Sequence, residues 1–185
     1  MAKWYNFPMI LKIADIKDTI LRQKAKRVSK FDKRIEKLIS NMQQTLKFQR
    51  DPEGIGLAAP QIGKSLQIFI VNFEKLQRVI INPEILKSEK LKKGNKKSKA
   101  KLLEGCLSLP NYYSPIRRPR KIKIRYQTPS GQSLVTKVED FFGFNAQIIQ
   151  HEIDHLNGIL FVDHVLKQNS PLYKFEGDNF EEVEL

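Results

Sequence analysis

A nine-residue segment near the C-terminal end, QHEIDHLNG at residues 150–158, restricts the fold of this chain more than any other feature. It contains the pattern H-E-x-x-H, in which His151 and His155 are four positions apart. On an α-helix this spacing puts both imidazoles on one face, and Glu152 lies beside them. The segment therefore predicts a helix that presents two metal ligands and a carboxylate to the same region.

The helix that carries this motif is expected to lie inside the protein. We predict that it begins near Asp140 and ends near Gly158, since glycine commonly terminates helices. One face of the predicted helix combines apolar residues with the motif histidines, namely Phe144, Ile148, His151 and His155. A second face is entirely apolar and consists of Phe142, Ile149, Ile153 and Leu156. A helix that is apolar on two sides is typical of a buried central helix.

The motif itself does not define the third metal ligand. His164 is the only other histidine, and the position at which a metzincin has its third histidine is Phe161. A polar, acidic tail at residues 174–185, with little apolar anchoring, offers the carboxylates of Glu176, Glu181 and Glu182. A ligand from this tail would indicate a zinc endopeptidase. Cys106, the only cysteine, is the other candidate.

The neighbours of Cys106 suit a buried thiolate ligand, although a lone cysteine is more often a small core residue. Gly105 allows the backbone to approach closely, and Leu107 and Leu109 surround the thiol with apolar groups. A Cys-His-His set leaves the fourth tetrahedral position open to water, which is typical of a catalytic ion. Paired core histidines without a metal are a weaker interpretation, because they would leave Glu152 buried without a partner.

The remaining pattern predicts an α+β fold. Apolar residues recur at helical spacing between Asp32, placed to cap a helix, and Arg50. Strands are predicted at residues 66–73, 79–81, 121–127 and 133–138, the last two joined by a turn at residues 129–131. This order of elements favours antiparallel sheets packed around the buried central helix. We expect one domain over residues 1–185.

Charge and hydropathy limit the partners of this chain. Its apolar runs fall far short of the roughly 20 residues that a membrane helix needs, so no membrane partner is expected. The net charge is +13, and residues 87–101 contain eight lysines and one glutamate. We predict that this Lys-rich insert is a solvated loop. Because base-stacking aromatic residues do not accompany the charge, no sequence-specific nucleic-acid binding is expected.

Three segments resemble the motifs of the peptide deformylase family, in that family's order. GIGLAAPQ at residues 54–61, EGCLS at residues 104–108 and QHEIDHL at residues 150–156 match G-x-G-L-A-A-x-Q, E-G-C-L-S and Q-H-E-x-D-H. A looser similarity covers residues 10–165. The resemblance implies a metal-dependent hydrolase that removes the formyl group from the N-terminal N-formylmethionine of newly made polypeptides and releases formate.

The resemblance also implies a role for individual residues. Cys106, His151 and His155 would bind one divalent ion, natively Fe(II), which Zn, Ni or Co can replace, and Glu152 would be the acid and base. The Gln61 side-chain amide and the Leu107 backbone N–H would stabilise the oxyanion. The implied substrate-binding residues are Gly54, Gly56, Leu107, Phe144 and Ile148, the last three forming a pocket for the methionine side chain.

Other expectations concern partners and compartment. The Lys-rich insert is a candidate for docking to the ribosome, because the acidic tail differs from the basic C-terminal helix of bacterial relatives. We expect either bacterial cytoplasm or the stroma or matrix of an organelle with bacterial-style translation, plastid-like, with no transit peptide in this chain. A basic RNA-binding module with a structural ion is an alternative to both enzymes. Asp154 is predicted to form an ion pair with Arg117 or Arg118.

Overall fold

The computed structural model describes residues 9–50, 53–89, 103–177 and 179–183. The helices in these residues are α1 (Lys33–Phe48), α2 (Gly143–Leu156) and α3 (Phe161–Gln168), with short 3-10 helices at Thr19–Arg22 and Ala59–Ile62. The strands are β1 (Gly56–Ala58), β2 (Ile68–Phe73), β3 (Leu76–Ser88), β4 (Glu104–Cys106), β5 (Leu109–Ser114), β6 (Lys121–Ser130), β7 (Ser133–Phe142), β8 (Leu172–Glu176) and β9 (Asn179–Val183).

These strands form two antiparallel sheets. The first has the order β1-β2-β3-β6-β7, and the second has the order β4-β5-β8-β9. Helix α2 packs against β1, β2, β6 and β7 of the first sheet. Its two motif histidines contact Glu104 and Cys106 in β4 of the second sheet. The predicted α+β fold with antiparallel sheets is confirmed.

Helix α1 forms as predicted because its cap and its apolar stripe agree. Asp32 Oδ1 accepts hydrogen bonds from the backbone N–H groups of Arg34 and Ile35 at 3.0 and 3.1 Å. The buried apolar residues of the helix are Ile39, Met42 and Leu46. They pack in one cluster with residues of β1 and β2, so α1 covers that end of the first sheet.

The hairpin of β6 and β7 is longer than predicted. Pairing continues through Lys123 with Asp140 to Lys121 with Phe142. Helix α2 therefore begins at Gly143, whose φ of 55° lies in the region that favours glycine. The expected start near Asp140 is wrong, and so is the burial of Phe142 on a helix face. Its side chain is 58% exposed, and the Lys121 ammonium lies 4.9 Å from the ring centroid.

Nine of the 14 residues of α2 are buried. Ile149, Ile153 and Leu156 belong to the main core cluster, together with residues of the first sheet. The expected end near Gly158 is confirmed, because the helix stops at Leu156 and Gly158 has a φ of 73°. A Cβ at Gly158 would lie 2.5 Å from the carbonyl oxygen of Arg22, so the chain reverses here against the N-terminal region.

The region after α2 contains a helix and a hairpin that the sequence patterns did not reveal. Helix α3 buries Phe161 and Val165. Strands β8 and β9 extend the second sheet from β5, and the rings of Phe175 and Phe180 lie 4.9 Å apart across the hairpin. The acidic tail therefore forms a hairpin, and its described side chains from Lys174 onward are half-buried or exposed. Because a strand needs apolar residues on one face only, the high acid content of this segment concealed the β8–β9 hairpin in the sequence.

The Lys-rich insert cannot be assessed as a whole, because residues 90–102 lie outside the described residues. Its first two residues, Lys87 and Ser88, are the end of β3, where they pair with Lys123 and Ile122. The insert therefore starts inside a strand, and its prediction as a solvated loop stays a prediction from residue 90 onward. The single domain over residues 1–185 also stays a prediction. Within the described ranges, no helix has both the length and the apolar character to cross a lipid bilayer.

Candidate metal centre

Three metal-ligating side chains from two parts of the fold meet at one point. The ligand atoms of Cys106, His151 and His155 all lie within 4.8 Å of one another, and the three residues are buried. Cys106 Sγ is 3.3 Å from Nε2 of His155, and the two imidazole centroids are 4.9 Å apart. A thiolate with two imidazoles is a donor set that suits divalent transition metals. The residues present therefore fit a single such ion.

Helix α2 and the hairpin of β4 and β5 position these ligands. The four-residue spacing places His151 and His155 one turn apart on the same face of α2. Cys106 is the last residue of β4, where the pairing with β5 becomes irregular. A Cβ at Gly105 would lie 2.7 Å from ring atoms of Tyr113, so only glycine allows β4 to run this close to β5.

The surroundings of Cys106 favour its thiolate form. Burial alone would raise the pKa of this thiol. The His155 and His151 side chains beside the thiol outweigh burial and hold the pKa of Cys106 well below its usual value. The thiolate is the form of cysteine that binds metals, so the site is electrostatically prepared for an ion.

A buried carboxylate orients His151. The Nδ1–H of His151 donates to Glu104 Oε1 at 2.8 Å, which leaves Nε2 to point toward Cys106 and His155. Glu104 also accepts two hydrogen bonds from Arg118, both at 2.7 Å. Burial would raise the pKa of Glu104, but Arg118 and His151 hold it well below its usual value. Glu104 therefore remains ionised and fixes the tautomer of the histidine.

Arg118 also connects Glu104 to Asp154 of helix α2. Arg118 Nη1 lies 2.7 Å from Asp154 Oδ2, and Nε2 of His164 lies 2.8 Å from the same oxygen. The predicted ion pair of Asp154 is thus confirmed for Arg118, whereas Arg117 instead hydrogen-bonds with Gln168. His164 is committed to Asp154 and lies outside the ligand cluster.

Glu152 lies beside the ligands, and one of its carboxylate oxygens is unpaired in the described part of the chain. The residue is only 3% exposed, and its Oε2 is buried with no partner among the described residues. Burial raises the pKa of Glu152 to about 7, although the charges of His151 and His155 lower it. A carboxyl group with this pKa can both accept and release a proton near neutral pH.

Two N–H donors lie close to the thiolate. Gln61 Oε1 accepts a hydrogen bond from the Ala58 N–H at 2.8 Å, which holds Nε2 3.5 Å from Cys106 Sγ and 3.3 Å from Ser108 Oγ. Leu107 follows Cys106 directly, and none of the hydrogen bonds found among the described residues uses its backbone N–H. Both groups can donate to an oxygen atom that approaches the site.

A cavity of about 140 Å³ opens beside these groups. Gly56, Leu107, Phe144 and Ile148 line it, together with Gln61, Cys106, His151 and Glu152. Gly54 is not among the lining residues. It packs on α1 instead, where an added Cβ would lie 2.7 Å from Leu46 Cδ1. The cavity wall is therefore mostly apolar next to a polar, metal-binding end.

The tail glutamates do not reach this site. Glu176 ends β8, Glu181 and Glu182 belong to β9, and all three are exposed. The cluster of ligand atoms within the described ranges contains Cys106 as the third member and none of these carboxylates. The zinc-endopeptidase alternative, in which a tail glutamate is the third ligand, is therefore contradicted.

Sequence reasoning overlooked two residues of the site. Glu104 belongs to the EGCLS segment, two residues before Cys106, and an acidic residue so close to a buried cysteine is itself a signal of a buried ion pair. Gln147 lies one turn before His151, lines the cavity and donates to Glu104 Oε2 at 3.2 Å. Its position, four residues ahead of a metal ligand on a helix, was the available signal.

Comparison with protein families agrees with this geometry. Residues 10–170 match the model of the family described as polypeptide deformylase, which is most of the chain. The chain belongs to this family. A peptide deformylase of Desulfotalea psychrophila is 40% identical over 171 residues, which cover 89% of this chain and 93% of the relative.

Solved structures of the family have the same fold. The crystal structure of peptide deformylase from Thermotoga maritima has a TM-score of 0.71 and 36% identity, and the match covers 84% of this chain and 97% of that one. Peptide deformylase 1B from Arabidopsis thaliana, solved with an inhibitor, has a TM-score of 0.69 and 33% identity, with 85% and 83% of the chains covered. Both bacterial and plant deformylases are thus similar to this chain.

Proposed function

We propose that this protein removes the formyl group from the N-terminal N-formylmethionine of newly made polypeptides and releases formate. The observation that carries the proposal is the juxtaposition of Cys106, His151 and His155 with the buried Glu152 at the polar end of an apolar cavity. Membership of the polypeptide deformylase family supports the same activity.

Cys106, His151 and His155 hold one divalent ion in this proposal, with Fe(II) as the native metal and Zn, Ni or Co as substitutes. Such an ion, when bound, polarises the formyl carbonyl and lowers the pKa of water toward about 7. The thiolate lowers the net positive charge of the site and exposes an Fe(II) form to oxidation. Glu104 keeps His151 in the tautomer that can ligate.

Glu152 transfers the proton. Its carboxylate takes a proton from the attacking water and delivers it to the nitrogen of the departing methionine. The pKa of about 7 suits both steps, because each form is populated near neutral pH. Gly56 makes room for this carboxylate, since an added Cβ would lie 2.8 Å from Glu152 Cδ.

Gln61 and Leu107 stabilise the negative charge that develops on the formyl oxygen. The Gln61 amide is already anchored through its oxygen to the Ala58 N–H, so little reorganisation is needed when its nitrogen donates. The backbone N–H of Leu107, the residue after Cys106, adds a second donor. One such donor is typically worth about 3–4 kcal/mol of the activation barrier.

The substrate binds as an added strand in this proposal. β1 is an edge strand of the first sheet, so the backbone at Gly56 can pair with an extended peptide. Leu107, Phe144 and Ile148 give the methionine side chain an apolar pocket. Gly54 lies outside the cavity and contributes through packing on α1 rather than through substrate contact.

The proposal also concerns the place of action. A deformylase acts where translation begins with formylmethionine, which is the bacterial cytoplasm or an organelle with bacterial-style translation. We propose the Lys-rich insert as a ribosome-docking segment, and a co-sedimentation assay after deletion of residues 90–101 tests this. Unchanged co-sedimentation of the deletion variant would exclude the insert as the docking segment.

The decisive experiment measures formate release from an N-formyl-Met tripeptide by anaerobically purified, Fe(II)-loaded protein. The parent should turn over, Cys106→Ser should lose both metal and turnover, and Glu152→Ala should keep metal but lose turnover. Glu139→Gln, which removes a carboxylate of β7 that is not in the ligand cluster, is the matched control and should stay active. Metal-loaded parent protein that releases no formate, or that cuts an unformylated peptide internally, would overturn the proposal.

A further inference from the structure

A second charged feature lies outside the site, in residues 22–37. This basic strip consists of Arg22, Lys24, Lys26, Arg27, Lys30, Lys33, Arg34 and Lys37, and every one of them is exposed. Only two acidic residues, Asp32 and Glu36, lie in the same stretch. Asp32 Oδ1 already accepts hydrogen bonds from the N-terminal N–H groups of α1, and the strip carries eight positive charges against two negative ones.

The backbone of the strip is held in place at three points. The Ala25 N–H donates to the carbonyl of Leu156, and Lys26 forms a parallel bridge with Leu66. At the third point the buried Asn82 side chain accepts from the Val28 N–H and donates to the Val28 carbonyl, at 2.8 and 2.9 Å. Ala25 and Val28 are buried, so the cations between them face outward from a fixed backbone.

The charges of the strip are not explained by stability. Lys33 and Arg34 are the first two residues of α1, where the helix dipole disfavours positive charge. Lys24, Lys26, Arg27 and Lys30 form no ion pair within the described residues, whereas Arg22 pairs with Asp163. These four neighbouring cations, which have no carboxylate partner among the described residues and sit on a fixed backbone, suit a polyanionic partner.

We propose that the basic strip binds the phosphate backbone of structured RNA. Residues 22–37 include no large hydrophobic residue that is exposed, so the strip lacks the apolar anchors of membrane-binding helices and of protein interfaces. It also lacks exposed aromatic residues for base stacking, so binding is through phosphates and independent of sequence. The choice of RNA over DNA rests on the proposed function, because new polypeptides emerge from an RNA-rich particle.

Fluorescence anisotropy with a labelled RNA hairpin tests the proposal. The test variant is Lys24→Gln, Lys26→Gln, Arg27→Gln and Lys30→Gln combined. The matched control removes three lysines and one arginine at dispersed exposed positions: Lys75→Gln, Arg125→Gln, Lys137→Gln and Lys167→Gln. The strip variant should lose about tenfold or more in affinity at about 0.1 M salt, and the slope of log K against log salt should fall by about three.

Three further arms locate the binding. Vesicles containing phosphatidylglycerol should bind more weakly than the RNA, and release of formate from the tripeptide should be unchanged in both variants. Equal loss in the strip and control variants would show only an effect of net charge and overturn the proposal. So would preferred binding to vesicles, or loss of RNA binding only when Lys92, Lys93, Lys96 and Lys97 are changed to Gln. An inactive parent that still binds RNA through the strip would overturn the proposed function and leave the RNA surface intact.

Discussion

At the scale of single residues, Gly56 shows how an absent side chain shapes the site. A Cβ at this position would overlap the Glu152 carboxylate, whose Cδ would lie only 2.8 Å away. Gly56→Ala should therefore displace the proposed proton acceptor while leaving the fold in place. A misplacement of about 1 Å lowers turnover by about 10²-fold, and we expect a decrease of that order in kcat for the N-formyl-Met tripeptide.

Gly54→Ala is the control for this prediction. It adds the same methyl group two residues earlier, but the new Cβ would press on Leu46 in α1 instead of on Glu152. We expect a lower Tm with nearly parental kcat, which is the reverse of the Gly56→Ala result. If the two variants lost equal fractions of kcat, the effect of Gly56 would not act through Glu152.

A second residue-scale prediction concerns Glu104, which joins His151 to Arg118. In Glu104→Gln the imidazole keeps a neutral acceptor, but it loses the charge that increases its basicity. Replacing such a partner of a metal ligand typically lowers metal affinity by about 10- to 100-fold. Competition with a chromophoric chelator at constant pH measures this change directly.

The outcome for Glu104→Gln can be separated from general destabilisation. Arg118 keeps Asp154 as a partner, whereas Arg118→Met would strip Glu104 of its cation and leave His151 in contact with the carboxylate. We expect Glu104→Gln to lose more metal affinity than Arg118→Met, even though both unfold at lower temperature. The opposite order would mean that Glu104 acts through packing alone.

At the scale of elements, the sequence predicted the position of an element correctly where one hydrophobic periodicity dominated the segment. Helix α1 has one apolar stripe and a clear cap in Asp32, so its position was predictable. The start of α2 was not, because Asp140 suits both a helix cap and a strand, and its pairing with Lys123 is a contact that no local pattern contains. The tail hairpin was missed for a related reason, since Phe175 and Phe180 meet only after the chain reverses.

The candidate site was predictable to the extent that its chemistry is local. His151 and His155 follow from one motif, whereas Cys106 was favoured over the tail glutamates by its apolar neighbours and by family resemblance. The role of Glu104 depends on three partners that lie 14, 43 and 47 residues away along the chain. Such a network of buried charges becomes visible only when β4 and α2 are brought together.

Glu139 in β7 gives an element-scale prediction, because its carboxylate links three strands. It accepts hydrogen bonds from Arg78 in β3 at 3.1 Å and from the Tyr126 hydroxyl in β6 at 2.7 Å. Burial raises the pKa of Glu139, but these two partners more than offset it and lower the pKa. The stabilisation is therefore complete above the unfolded pKa of about 4.3 and is lost as the pH falls through the folded value.

Glu139→Gln removes this titration. Near pH 7 the free energy of unfolding should fall by less than about 1 kcal/mol, because the carboxylate is partly exposed and screened. The difference from the parent should shrink as the pH is lowered below about 4, since the parent then loses its own contribution. Urea denaturation at both pH values measures it, with exposed Glu181→Gln as the control. A gap between Glu139→Gln and parent that widens in acid would contradict the assignment.

At the scale of the whole molecule, the ligand set lies where the two sheets come together. Cys106 belongs to the second sheet, while His151 and His155 are on α2, which packs against the first sheet. An ion held by all three would therefore connect the two sheets in the folded state but not in the unfolded chain. A metal concentration about 100-fold above Kd stabilises the folded state by about 2.7 kcal/mol.

Removal of the metal by a chelator should consequently lower the Tm. For a chain of this length each kcal/mol corresponds to about 2–4 °C, so we expect a decrease of about 5–10 °C, restored by added divalent ion. Cys106→Ser should already have a lower Tm and should respond much less to the chelator, because one sheet no longer supplies a ligand. A parent that releases its metal without any change in Tm would mean that packing of α2 alone holds the sheets together. In that case the ion would serve the chemistry and contribute nothing to the fold.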